Sequence, residues 1–223
     1  MAVTFAFVHG AWDRGGSWAA VAAELEARGH RAVAPDLPCE DVDAGLEEYA
    51  ATVRAALDGV EDAVVVGHSL GGLTIPLVPA RRLLFVAAYV PQPGRSLRDR
   101  GEDAFGPGFA ASVVQDEQRR SHWPDPEAAV RDLQYELPHE VALAAAARLR
   151  RQARRPINQA WPGEALPEVE RAYVVCSRDA VVPPDFQRRL ADELGVEPLE
   201  LESGHSPQLV SPRALAGLLD ALA

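Results

Sequence analysis

Ser69, Asp179 and His205 are the residues of this chain that could together make a weak hydroxyl reactive. A serine hydroxyl attacks a carbonyl only when a base takes its proton. Imidazole suits that task near neutrality, and a carboxylate fixes the imidazole and steadies its cation. Ser69 stands in Gly67-His68-Ser69-Leu70-Gly71-Gly72, directly after the apolar run Ala63-Val64-Val65-Val66, which reads as a buried strand. A serine between glycines on a sharp strand-to-helix turn is held out of the sheet as a nucleophile. Such a motif arises by chance in roughly one chain in twenty of this composition, so its surroundings must carry the argument.

Those surroundings agree. Val3-Thr4-Phe5-Ala6-Phe7-Val8 is a β-branched and aromatic run that ends in His9-Gly10-Ala11-Trp12, a strand opening into a loop able to present backbone N–H groups. Ala172-Tyr173-Val174-Val175-Cys176 is another strand, followed at once by Ser177-Arg178-Asp179. Pro198-Leu199-Glu200-Leu201-Glu202 leads into Ser203-Gly204-His205. Each of the three candidates therefore falls just past the C-terminal end of a strand, where an open parallel sheet gathers its reacting groups.

The elements that must position them follow from hydrophobic periodicity. The first half reads as strand 3–8, helix 17–28, strand 31–34, helix 46–58, strand 62–66, the serine turn and strand 82–88. The second resumes with strand 171–176, helix 184–194, strand 197–202 and helix 212–222. Six strands with crossover helices predict an α/β fold, a mainly parallel six-stranded sheet with helices on both faces. Pro76 and Pro79 follow the serine closely, so the helix carrying it should be short or kinked. Residues 91–165 break the rhythm with a loop-rich start and two helices, 126–137 and 138–155. They are expected to form a small cap or lid over the serine, with 1–90 and 166–223 as the core. Arg148, Arg150, Arg151, Arg154 and Arg155 on the second helix are expected to form a solvated face rather than an anion clamp.

Composition narrows the chemistry. The 223 residues carry 33 acids against 22 bases, a net charge of −11 that makes nucleic acid a poor partner. All 22 bases are arginine. Without lysine, a Schiff base, a Ser-Lys dyad and a P-loop lysine are excluded. Cys39 and Cys176 have no metal spacing and are expected as free buried thiols. No apolar stretch reaches the ~18 to 20 residues of a membrane span, and the first residues enter a strand directly, so a cytoplasmic protein without membrane contact is expected.

These motifs resemble the α/β-hydrolases, and within them the plant methylesterase and hydroxynitrile lyase group with its bacterial esterase relatives. His9-Gly10-Ala11-Trp12 followed by Gly16-Ser17-Trp18 is similar to that group's N-terminal signature, and the GHSLGG segment is similar to its nucleophile turn. Cys176-Ser177-Arg178-Asp179 with Pro183-Pro184-Asp185-Phe186-Gln187 resembles its acid segment, and Ser203-Gly204-His205-Ser206-Pro207 its histidine loop. The resemblance implies Ser69 as nucleophile, His205 as general base and then acid, Asp179 as the orienting carboxylate, and an oxyanion hole from the backbone N–H groups of Ala11 and Leu70. It implies no cofactor and a small-molecule ester as substrate. The lyase branch carries a threonine where Gly10 stands and a lysine where Ser206 stands. Both departures favour hydrolysis through an acyl-enzyme. A thioesterase, a non-hydrolytic lyase or cyclase, and a small-ligand receptor are the alternatives on this fold.

Duller roles exist for each candidate. Ser69 could be a turn serine, Asp179 a helix cap with Asp36 as the working acid, and His9, His30, His68, His122 and His139 compete with His205. Of the aromatics Trp12, Trp18, Phe105, Phe109, Trp123 and Trp161, at least half are expected as plain packing. Trp12, Phe109, Trp123 and Trp161 are the candidates for a substrate pocket. No His, Cys and carboxylate cluster has zinc spacing and no GxGxxG follows a strand. Exhaustive chelation should therefore leave hydrolysis of a nitrophenyl ester unchanged, whereas a loss that zinc restores would reveal a metal site.

Overall fold

The computed structural model describes residues 2–109 and 111–223. The apolar runs become strands because every second residue finds a different hydrophobic layer. In β1 (Thr4–Val8), Phe5 and Phe7 face one side while Ala6 and Val8 face the other. β2 (Arg31–Val33) lies beside it, and β3 (Ala63–His68) and β4 (Arg82–Val86) follow on its other side. β5 (Val114–Gln115) and β6 (Ser121–His122) pair antiparallel with each other, and β7 (Glu170–Cys176) and β8 (Leu199–Leu201) complete the main sheet. Its order is β2-β1-β3-β4-β7-β8, parallel throughout. In-register pairs such as Thr4 with Ala63, Val65 with Leu83 and Phe85 with Tyr173 keep the alternation continuous across the strands.

Helices cover both faces, as a parallel sheet requires. α1 (Ala19–Glu26) packs on one face against Phe5, Phe7, Val64 and Val66. α2 (Leu46–Ala56) covers the other face with Tyr49, Ala50 and Val53. Between β4 and β7 come α3 (Pro126–Asp132), α4 (His139–Ala146) and α5 (Arg155–Asn158). α6 (Pro184–Leu194) joins the α2 layer, and after α7 (Pro207–Val210) the closing α8 (Pro212–Ala221) packs beside α1. The strand order reverses between β1 and β3, and the loops after these two strands open at that crevice.

The expected elements of the sheet are present, with ends shifted by a few residues. The serine turn continues as two 3₁₀ segments, Ser69–Leu73 and Ile75–Leu77, with Pro76 in the second, so the expected short helix is what forms. Two expectations are corrected between β4 and β7. The helix 126–137 stops at Asp132, and Gln134, Tyr135 and Glu136 turn away from its axis. The helix 138–155 stops at Ala146, because the following backbone finds partners elsewhere. The Arg150 N–H reaches the Trp12 carbonyl at 2.6 Å, and Gln152 exchanges two bonds of 2.9 Å with Ser121. The arginines are therefore not one helix face: Arg150 pairs with Glu40 and Arg151 with Asp116.

One buried base makes the stability of this fold pH-sensitive. His68 ends β3, and its Nε2–H donates to the His205 carbonyl at 2.6 Å, while its Nδ1 is buried without a partner. Burial first, and then the neighbouring His205, holds His68 well below the usual 6.5. The unfolded chain therefore takes up a proton below about pH 6.5 that the native state refuses, so stability is full above that pH and falls as pH drops through it. In urea titrations from pH 7.5 to 5.5, His68→Gln should lose less stability than the parent, the slopes differing by up to about 1.4 kcal/mol per pH unit. Parallel slopes would contradict a neutral native His68.

Candidate active site

Ser69 follows β3 with φ of 51°, a left-handed conformation that a side-chain-bearing residue adopts only when its surroundings enforce it. The enforcement is visible. The Ser69 carbonyl accepts the Tyr89 N–H at 3.1 Å, and the turn presses so close to β1 that a Cβ on Gly71 would stand 2.4 Å from the Val8 carbonyl oxygen. Glycine is required there by close approach. The result points the Ser69 hydroxyl at His205, with Oγ and Nε2 3.0 Å apart.

On its other edge the His205 ring is held by Asp179, with Nδ1 and Oδ2 2.8 Å apart. Asp179 lies in the loop after β7, and its carboxylate is fully engaged: Oδ1 accepts the Val181 and Val182 N–H groups at 2.7 and 3.0 Å, and Oδ2 also accepts Gln187 Nε2–H at 2.8 Å. These bonds leave the imidazole one good orientation. Asp36, the rival acid, instead accepts the Gly15 N–H at 2.7 Å. The other histidines are occupied elsewhere: His9 bridges the Gly10 carbonyl and the Leu37 N–H, His30 meets Asp220, His122 meets the Trp123 carbonyl, and His139 is exposed near Glu127.

Sequence reasoning missed three residues that brace this line. Gln187 of α6 is fully buried, and besides Asp179 it accepts the Cys176 N–H at 2.9 Å and donates to the Val182 carbonyl at 2.8 Å. Its signal was a polar residue on the apolar stripe Phe186, Leu190, Leu194. Tyr135, just after α3, accepts the Ala180 N–H at 2.9 Å and the His205 N–H at 3.2 Å on one hydroxyl, which donates to the Arg178 carbonyl at 3.3 Å. Glu136 bonds the Gly204 N–H and pairs with Arg178 at 2.7 Å. A Cβ on Gly204 would come within 2.6 Å of Glu136 Oε2 and 2.8 Å of the Tyr135 hydroxyl, so a glycine before His205 admits the brace. Nothing local in the sequence marks a tyrosine and a glutamate as partners of loops 40 to 70 positions away.

Ala11 and Leu70 flank the Ser69 turn from two loops. Leu70 is the second residue of its 3₁₀ segment, where an N–H has no carbonyl one turn back to bond. The next residue, Trp12, has φ of 62° and is pinned from outside: Gln152 Oε1 accepts its N–H at 3.4 Å, and its indole N–H donates to Ser121 Oγ at 3.0 Å. Its ring stands between two spaces. One is a cavity of about 20 Å³ at Ser69, whose walls include Ala11, Asp13, Leu133, Gln134, Leu149 and His205. The other is an open cleft of about 550 Å³ that Phe105, Phe109, Val113 and Ile157 share with Trp12. Of the four aromatics expected in a pocket, Trp12 and Phe109 line these spaces. Trp123 packs edge-on to Trp12 at 4.9 Å with its indole N–H on Asp132, and Trp161 is buried with its indole N–H on the Leu73 carbonyl. Neither lines the cavity or the cleft, because each indole finds its partner in the packed interior.

Burial shifts several other groups near the site. The Cys39 thiol is pushed up to about 11 and Cys176 well above the thiol range, so neither is a thiolate near neutrality. His9 is lowered by burial, and Asp13 beside it is raised by burial. Among the described residues no three His, Cys, Asp or Glu side chains converge as metal ligands, and no helix is long and apolar enough to cross a membrane.

The chain is 28% identical to salicylic acid-binding protein 2 of Nicotiana tabacum, across 96% of this chain and 95% of that protein. It is 27% identical to methylesterase 3 of Arabidopsis thaliana, across 95% and 90%, and 29% identical to the pyrethroid hydrolase of Sphingobium wenxiniae, across 94% and 83%. The crystal structure of a pyrethroid hydrolase from Sphingobium faniae JZ-2 superposes with a TM-score of 0.83 at 24% identity, covering 100% of this chain and 97% of that one. The model of the alpha/beta hydrolase family matches residues 5–218, and the chain belongs to that family.

Proposed function

We propose that Ser69, His205 and Asp179 are the catalytic triad with which this carboxylic ester hydrolase cleaves a small-molecule ester through an acyl-enzyme. The observation that carries the reading is the continuous line from Ser69 Oγ to His205 Nε2 at 3.0 Å and from His205 Nδ1 to Asp179 Oδ2 at 2.8 Å. Ser69 Oγ attacks the ester carbonyl carbon as its proton passes to His205 Nε2. The carbonyl oxygen becomes an oxyanion and is received by the backbone N–H groups of Ala11 and Leu70, donors of a kind worth ~3 to 4 kcal/mol each in a transition state. His205 then returns the proton to the leaving oxygen, the C–O bond breaks, and the alcohol departs. Water attacks the Ser69 ester with His205 again as base, releasing the acid and restoring the enzyme.

Residues 91–165 act as the cap of this site. They contribute Leu133, Gln134 and Leu149 to the cavity at Ser69 and Phe105, Phe109 and Ile157 to the wider cleft, so the sheet supplies the chemistry while the cap chooses the ester. Hydrolysis is favoured over lyase chemistry at this site because Ser206, not a cation, lines the cavity beside His205.

Substitution tests the triad directly. Ser69→Ala should keep the fold and abolish turnover of a nitrophenyl ester, and Asp179→Asn should cost about 10³-fold or more in kcat. The double variant His205→Ala with Asp179→Asn should be far less than additive, because the two act as one unit. Asp36→Asn should leave kcat within a few-fold. A Ser69→Ala enzyme retaining more than a few per cent of activity, or an Asp36→Asn loss exceeding that of Asp179→Asn, would overturn the assignment.

A further inference from the structure

Among the described residues, Gln134 is the one cap side chain with a buried, unpartnered polar atom in the wall of the cavity at Ser69. It is 5% exposed, its Oε1 is buried without a partner, and its carboxamide forms no side-chain hydrogen bond among the described residues. Gln152 is engaged with Tyr49 and Trp12, and Gln187 with Asp179 and Cys176, while Gln208, whose Oε1 is also without a partner, holds Asp13 through its Nε2–H at 3.4 Å and is not part of the cavity wall at Ser69. Leaving a buried amide oxygen unsatisfied is costly, so its persistence in the wall of a cavity calls for a partner that arrives later. The place is specific. Gln134 lines the same cavity as Ser69, His205 and Ala11, and at about 20 Å³ that cavity holds little more than a water or a hydroxyl.

The rest of the wall says which partner fits. His68, whose Nδ1 is buried and unpaired, and Asp13, whose carboxylate is already bonded to Arg14 N–H and Ser17 Oγ–H, line the same space. A wall with these acceptors suits a neutral donor and repels a second carboxylate. The small volume places that donor within one or two bonds of the reacting carbonyl. We infer that Gln134 is a substrate-binding residue that takes a hydrogen bond from a hydroxyl on the carbon next to the ester carbonyl, which makes 2-hydroxy carboxylic esters the preferred substrate class.

This rests on the esterase reading, and the experiment separates the two. Initial rates are measured by pH-stat for methyl 2-hydroxypropanoate and methyl propanoate, with the parent enzyme and with Gln134→Met, which keeps length without the amide. The hydroxy-over-deoxy ratio of kcat/KM should be at least ten-fold larger in the parent than in Gln134→Met, a comparison in which the intrinsic activation of the ester by its hydroxyl cancels. The thermal midpoint of Gln134→Met should be equal to or above the parent's, since an unsatisfied buried amide has been removed. An equal ratio in the two enzymes, or a variant of clearly lower midpoint, would overturn the role of Gln134 while the triad stands. Failure of the parent to hydrolyse either ester, or the nitrophenyl ester, would bring down the esterase reading and this inference with it.

Discussion

The bond between His205 Nδ1 and Asp179 Oδ2 is the constraint on which the reacting end of the molecule depends. Both partners are almost completely buried, and a carboxylate taken out of water is tolerable only when hydrogen bonds replace its hydration. Asp179 obtains them from Val181, Val182, Gln187 and His205, which fixes the loop after β7, the start of α6 and the loop after β8 relative to one another. Losing one hydrogen bond to such a buried carboxylate costs about 1.5 to 3 kcal/mol, the Val181, Val182 and Gln187 bonds remaining. The same bonds that orient the imidazole therefore also hold the loop after β7, α6 and the loop after β8 together.

The segment between β4 and β7 is joined to this arrangement by polar contacts as well as packing. Tyr135 and Glu136 reach the backbones of Arg178, Ala180, Gly204 and His205, while Gln152 and Arg150 reach the backbone at Trp12. Backbone groups in the loops at strand ends have no sheet ladder to satisfy them. Here the intervening segment supplies the partners, so its position is coupled to the geometry of all three loops. A displacement of α3 by an ångström would be felt at the His205 N–H, a scale at which alignment of a reacting group already matters.

Much of this was legible in the sequence, for a physical reason. β1, β3, β4 and β7 are covered on both faces, so each carries an unbroken run of buried apolar residues, such as Ala63 to Val66 and Ala172 to Cys176, that announces a buried strand. Ser69 and Asp179 closely follow such runs, while His205 follows the short, half-exposed β8, and the turn at Ser69 is short because Pro76 interrupts it. What was not legible depends on distant partners. Helix propensity favours continuing through Ala147 and beyond, but Trp12 and Ser121 draw the backbone away at Arg150 and Gln152. Tyr135, Glu136 and Gln187 act through bonds to loops that no spacing rule connects to them. Trp12, Trp123 and Trp161 look alike in the sequence, and the distant acceptor that each indole N–H finds goes with which of them lines the space at Ser69.

The central claim is that Ser69 becomes covalently acylated during turnover. The most direct measurement is rapid acid quench of the enzyme with a nitrophenyl ester of a slowly hydrolysed acyl group, followed by intact-mass and peptide-level mass spectrometry. Acylation of Ser69 gives a burst of nitrophenol, a mass increase equal to one acyl group, and that acyl group on the peptide carrying Ser69. Steady hydrolysis with no acylated species, or an acyl group carried on any residue other than Ser69, would contradict it.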